Sequence, residues 1–214
     1  TAQGYADESA WARGQAWALY GYTTCYRYTK DKKYLDQAQK VYNFIFTNKN
    51  LPEDLVPYWD YDAPNIPNEP RDASAAACTA SALYELDGYL PGNHYKETAD
   101  KIMESLGSPA YRAKVGTNGN FILMHSVGSI PHGQEIDVPL NYADYYFLEG
   151  LMRKRNNKVI VYYLSSYNLN IYETYKSFGG RPDTVYGTGL QGSEASSRTI
   201  GTSQYYLCIS GPVP

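Results

Sequence analysis

The sequence predicts an all-α domain built from antiparallel helical hairpins, followed by a tail of a different kind. Two observations lead there. Apolar and small residues recur at helical spacing in five stretches, and the connections between those stretches are alternately short and long. Short links force neighbouring helices to run antiparallel. Long links gathered at one end of such hairpins line a cleft, the arrangement that a toroid of helical hairpins produces.

Residues 8–29 read as the first helix, with Asp7 or Ser9 as the cap and Trp17, Tyr20, Gly21, Thr24 and Tyr28 near 3.6 spacing. Residues 31–48 form the second. Asp31 is its N-cap, and Tyr34, Leu35, Ala38, Val41, Tyr42 and Ile45 make its apolar stripe. Residues 50–71 hold Pro52, Pro57, Pro64, Pro67 and Pro70, and so read as a long loop. A loop of that length within a packed domain usually serves a function. It carries Trp59, Asp60, Tyr61 and Asp62, and the two aspartates raise the alternative of a carboxylate or calcium pair.

Residues 72–90 return to helix, capped near Asp72 or Ser74 and rich in alanine, which lets neighbouring helices approach closely. Residues 93–106 give a fourth helix, capped by Asn93 and stopped at Gly107. Residues 110–138 read as irregular or weakly extended. Residues 139–155 form the last helix, with Pro139 in its first turn. On it Asp144 stands among apolar neighbours, where a carboxylate has to be hydrogen-bonded. After Asn157 the composition changes to Gly, Ser, Thr and Tyr. Residues 158–214 are therefore set apart as an irregular tail, with a strand at 159–164 and a flexible run at 187–203.

Composition narrows the function classes. A net charge of -3 and a pI of about 5.6 give no electrostatic reason to expect nucleic acid or an anionic membrane as partner. No apolar run is long enough to span a bilayer. Cys25, Cys78 and Cys208 are an odd, scattered set, which argues against a disulfide framework or a zinc site. Cys25 and Cys78 read as small buried hydrophobes. The 24 tyrosines and 3 tryptophans are the unusual feature. Each joins a flat apolar face to a hydrogen-bonding edge, a combination suited to sugars, although most are expected to pack helix against helix.

Three ordered segments resemble glycoside hydrolase family 88, the unsaturated glucuronyl hydrolases. They are QGYADESAWARGQAWALYGY at residues 3–22, LPEDLVPYWDYDAPNIPNEPRDASAAA at 51–77 and HSVGSIPHGQEIDVPLNYADYYFLEGLMR at 125–153. The resemblance implies an (α/α)6 barrel, of which residues 1–157 are the C-terminal half. It implies removal of a 4,5-unsaturated uronic acid from the non-reducing end of lyase-generated oligosaccharides. In that chemistry an aspartic acid protonates the C4=C5 bond, water adds at C5, and the hemiketal collapses. No metal or organic cofactor is implied. The unsaturated rhamnogalacturonyl hydrolases and an inert or merely sugar-binding half-barrel are the alternatives.

The resemblance assigns substrate contact to positions Gln3, Trp11, Arg13 and Trp17. Arg13 and Trp17 are four apart and share a helix face. Arg13 suits a bidentate bond to a carboxylate or sulfate, and the alternative is a salt bridge to Asp7 or Glu8. His132 joins the binding set; His125 is the weaker candidate of the two loop histidines. Arg71 and Asp72 read as an ion pair at a helix cap. The family's catalytic aspartates lie upstream of the segment matching residues 3–22, so no catalytic residue is assigned within this chain. Ala2 stands where the family commonly has His.

Overall fold

A computed structural model describes residues 3–156, and five α-helices make up most of that span. The tail at 158–214, its strand and flexible run, Cys208 and Ala2 lie outside the described residues. The helices are α1 (Ala12–Thr29), α2 (Lys32–Thr47), α3 (Ala73–Tyr89), α4 (Tyr95–Gly107) and α5 (Asn141–Asn156). Two short strands, β1 (Ser126–Ser129) and β2 (Gln134–Val138), pair antiparallel between α4 and α5. Among the described residues no helix is long and apolar enough to cross a membrane.

α3 is the centre of the packing, touching α1, α4 and α5, while α2 packs on α1. The result is two layers: α1, α3 and α5 side by side, with α2 and α4 behind them. The sequence of α3 explains its place. From Ala73 to Leu83 every residue is buried, and most are Ala or Ser. Small side chains on all faces allow neighbours on all sides. By contrast α2 buries only Leu35, Ala38, Val41 and Ile45, a single stripe at helical spacing, as an outer helix should. Burying the Leu35, Val41 and Ile45 side chains contributes about 1.5–3 kcal/mol each.

The helix ends follow the sequence in part. Asp31 caps α2 by accepting from the Lys33 N–H at 3.0 Å, and Asp72 caps α3 by accepting from the Ser74 N–H at 3.1 Å. Three expectations are corrected. Neither Asp7 nor Ser9 caps α1. Trp11 takes the extended N-cap backbone, and the Ser9 hydroxyl is instead engaged with Ala6 and Asp60. Asn93 does not cap α4, because His94 occupies the N-cap in a left-handed conformation. Cys25 is exposed, since it falls on the outer face of α1, whereas Cys78 is buried against the Ala16 carbonyl.

The proline-rich segment at 50–71 is an ordered wedge. The Trp59 carbonyl accepts from the Ala12 N–H and the Tyr61 N–H donates to the Ala10 carbonyl, which stitches the segment to the start of α1. Asp60, fully buried, accepts from the Tyr5 N–H, the Ser9 hydroxyl and the Asp62 N–H at 2.8–2.9 Å. Asp62 accepts from the Ala10 N–H. The two carboxylates are thus occupied in holding residues 5–10 in place. Arg71 is not paired with Asp72. Its guanidinium bonds Asp54 at 2.6 Å, and Asp54 also accepts from the Tyr111 hydroxyl.

Candidate functional site

α1 begins beside the hairpin β1–β2, and the two meet through Arg13. The side chain is 2 % exposed. One terminal nitrogen donates to Asp72 at 3.0 Å and to the Val127 carbonyl; the other donates to the Gly128 carbonyl at 2.5 Å. Asp72, rather than Asp7 or Glu8, is therefore its ion-pair partner. Among the described residues, Nε of Arg13 and the Ser126 hydroxyl are buried without a hydrogen-bond partner. Burial pushes the Asp72 carboxyl up, and the Arg13 charge and the Ser74 and Val127 donors pull against that rise.

Three aromatic rings surround the same guanidinium. Its carbon lies 4.7 Å from the Trp11 ring centre, 5.4 Å from Trp17 and 5.2 Å from Tyr142 of α5. These are cation–π distances. The two indoles meet edge to face at 5.4 Å. Trp11 is half-buried, and Trp17 is 42 % exposed. A buried charged base thus carries an aromatic wall with one open face. Gly14 is required beneath it, because a Cβ there would come within 2.9 Å of the Trp11 ring. Burial also raises the Tyr142 hydroxyl, with Arg13 pulling down and Asp72 and Glu135 adding to the rise.

The structure brings Arg13 and Trp17 together, as their spacing on α1 predicts, and adds Trp11 from the N-cap. His132 reaches this cluster only through the hairpin. It sits in the turn between the strands, exposed, with Nδ1 at 2.6 Å from the Ser129 hydroxyl. His125 contacts Asp137 across the hairpin at 2.7 Å. Gln3 is half-buried two residues before Tyr5, whose N–H is fixed on Asp60. Sequence reasoning missed Tyr142 and the Val127 and Gly128 carbonyls as parts of the cluster. Nothing local marks them, because each is more than a hundred residues from Arg13 in the chain.

Asp144 is half-buried and accepts from the Ile122 and Leu123 N–H groups, which anchors the approach to β1. A cavity of about 390 Å³ beside Tyr22, Lys33, Tyr34 and Lys40 shares no lining residue with the tryptophan cluster. Among the described residues no group of three or more His, Cys, Asp or Glu is placed to hold a metal ion.

No family model matches the chain. An unsaturated glucuronyl hydrolase of Formosa agariphila is 53% identical over 156 residues, which is 73% of this chain and 39% of that protein. A crystal structure described as an unsaturated glucuronyl hydrolase specific for heparin superposes with a TM-score of 0.73 at 51% identity, covering 75% of this chain and 43% of that one. The homologues and structural neighbours of this chain are unsaturated glucuronyl hydrolases, glycoside hydrolase family 88. The unsaturated glucuronyl hydrolase of Bacillus sp. GL1 superposes with a TM-score of 0.68 at 30% identity, over 73% of this chain and 42% of that one. The five helices accordingly form part of the (α/α)6 barrel of unsaturated glucuronyl hydrolases. The chain spans about two fifths of the length of the relatives it matches, and the match is to their C-terminal half.

Proposed function

We propose that residues 3–156 form the sugar-contacting C-terminal part of an unsaturated uronyl hydrolase domain. The substrate class is an oligosaccharide ending in a 4,5-unsaturated uronic acid. The reaction of the whole domain is hydration of the vinyl ether, followed by collapse of the hemiketal and release of the aglycone. An unsaturated chondroitin disaccharide hydrolase of Streptococcus agalactiae is 38% identical over 158 residues. A crystal structure of an unsaturated glucuronyl hydrolase from that organism is complexed with dGlcA-GalNAc6S, at 37% identity and a TM-score of 0.65. Both support this substrate class.

The observation that carries the reading is the Trp11–Arg13–Trp17 cluster with its open indole face. Trp17 stacks on the ring that contains the double bond, a nearly flat surface. Trp11 supports Trp17 from the side. Arg13 has both terminal nitrogens engaged, so it acts as the buried positive base of the wall and as the clamp on the hairpin. Its charge still favours a uronate carboxylate placed above it. Gln3 and His132 supply hydrogen bonds at the rim, His132 through the ring nitrogen that Ser129 leaves open. No residue of this chain is assigned as the general acid.

Titrating the chain with an unsaturated uronyl disaccharide while following tryptophan fluorescence tests the reading. Saturable quenching that disappears in Trp17→Ala is expected. A wild-type spectrum unchanged at millimolar disaccharide rejects it.

A further inference from the structure

The cavity beside α2 has a lining of its own. Lys33, Asp36, Gln37 and Lys40 stand along it at i, i+3, i+4 and i+7, a spacing that gathers all four on one face of α2. Tyr34 and Tyr22 of α1 complete it. Their rings are nearly parallel, at 24°, with centres 6.4 Å apart. Nζ of Lys33 lies 5.0 Å from the Tyr34 ring centre. The volume is about 390 Å³, within the roughly 300–1,000 Å³ usual for small-ligand sites. Tyr22 comes five residues after Trp17, so it lies about 7.5 Å further along α1 and about 140° around it. The cavity is thus turned away from the tryptophan wall.

The charge here runs against that of the chain. The net charge is -3, yet residues 30–40 hold four lysines against two aspartates. Asp31 is engaged with the Lys33 ammonium at 2.9 Å and with the Lys33 N–H at 3.0 Å. Among the described residues Lys40 has no ion-pair partner, and it is exposed at the edge of the cavity. The lining therefore offers three kinds of contact. The half-buried tyrosines present flat apolar faces, suited to the C–H face of a sugar ring. Lys33 and Lys40 attract carboxylates. Asp36 and Gln37 accept from hydroxyls. A uronate-containing glycan carries one carboxylate on alternate rings and hydroxyls on all of them, which matches this mixture. A nucleic acid places a charge on every residue, and the Asp36 carboxylate between the lysines opposes that.

We propose that this cavity is a second glycan-docking site, which holds an internal segment of an acidic, uronate-containing polysaccharide. The segment lies across Tyr22 and Tyr34, with a carboxylate towards Lys40 and Lys33 and ring hydroxyls towards Asp36 and Gln37. The site needs no unsaturated end, and it stands independently of the reading of the tryptophan cluster. Its ligand is a longer chain of the same sugar class as the proposed substrate.

The test uses the 214-residue chain and an unsulfated chondroitin octasaccharide with a saturated non-reducing end, followed by calorimetry and ligand-observed NMR. Trp17→Ala is expected to retain binding of this probe. Lys40→Glu weakens it about three- to tenfold at low salt, and Tyr34→Ala about tenfold. Lys40 is exposed, so Lys40→Glu retains the fold, and circular dichroism verifies this. Neither variant changes the tryptophan quenching by an unsaturated disaccharide. A wild type that fails to bind the octasaccharide overturns the second site and leaves the tryptophan cluster to its own titration. So does binding that Trp17→Ala abolishes and that Lys40→Glu and Tyr34→Ala leave unchanged. Polyglutamate of matched charge that binds as tightly as the octasaccharide, with no effect of Tyr34→Ala, also overturns it, since the cavity is then a bare charge patch. The expected losses in a chain that gives no response to the disaccharide uphold this site and remove the cluster reading instead.

Discussion

Arg13 of α1 and Asp72 at the cap of α3 form an ion pair at 3.0 Å, with side-chain exposures of 2 % and 0 %. The pair joins the first helix to the central one, and through the Val127 and Gly128 carbonyls it ties both to the hairpin. Removing one partner from such a pair leaves a buried charge alone, at a cost of about 3–5 kcal/mol. Asp72→Asn and Arg13→Met are each expected to lose about that much in urea unfolding. Each single change leaves the other partner as a buried charge without its counter-ion, so the double variant Arg13→Met with Asp72→Asn should lose clearly less than the sum. Strict additivity would show that the two side chains do not act as a pair.

The two tryptophans should separate binding from stability. Trp17 is 42 % exposed, so Trp17→Ala is expected to abolish disaccharide-dependent quenching while changing the unfolding midpoint little. Trp11 supports Trp17 and the Arg13 charge, so Trp11→Ala should lower both. Gly14→Ala gives a finer probe. Alanine favours the helix by about 1 kcal/mol over glycine. Its Cβ, however, would press within 2.9 Å of the Trp11 ring. Helix content should hold while binding falls, and unimpaired binding would show that the ring position is not critical.

Asp100 predicts an acid-sensitive link among α3, α4 and α5. It contacts Lys96 at 2.6 Å, the Tyr84 hydroxyl at 2.7 Å and Lys154 at 2.9 Å. Burial acts to raise its carboxyl, and these three contacts outweigh it, lowering it to about 2. A carboxyl depressed in the fold stabilises at pH values above its unfolded value of about 3.9. That stability is lost as pH falls through the folded value. Because the group is 31 % exposed, the network contributes about 1 kcal/mol. Asp100→Asn should therefore differ from wild type by that amount near neutrality, and the two should converge between pH 4 and 2. A difference that persists at pH 2 would place the cause elsewhere.

The helices were legible because their periodicity is local. The Leu35, Ala38, Val41 and Ile45 stripe and the alanine run of α3 declare an outer and a central helix without reference to anything distant. What could not be read locally was partnership. Arg13 lies beside Asp7 and Glu8 in sequence, yet its counter-ion is 59 residues away. Arg71 adjoins Asp72 and pairs with Asp54 instead. The hairpin escaped because Gly128, Pro131 and Gly133 interrupt any strand pattern, and its pairing depends on Glu135 and Asp137 adopting positive φ. The tryptophan cluster was half legible. Arg13 and Trp17 share a helix face by spacing, but Trp11 joins them from the N-cap of α1 and Tyr142 only through the α3–α5 packing.

The carboxylates in this fragment of the barrel lead to a prediction about turnover. Protonating a vinyl ether needs a carboxylic acid that stays partly protonated near neutral pH and points at C4 of the sugar. Asp60 is sealed from solvent with three donors upon it. Asp54 is held by Arg71 and Tyr111, and Asp144 by two backbone N–H groups. Asp72 is raised by burial, but it is enclosed between Arg13 and Ser74 with no exposed surface through which to reach a sugar. Glu135 and Asp137 stand on the exposed hairpin, open to water. General acid–base assistance is worth about 10²–10⁴-fold, and correct positioning often more. Without either, the purified chain is expected to bind an unsaturated chondroitin or heparin disaccharide and leave its enol-ether absorbance unchanged over hours. If instead it turns the disaccharide over at a rate comparable with the Formosa agariphila relative, and one Asp→Asn change within residues 3–156 abolishes that rate, then the acid lies in this chain after all.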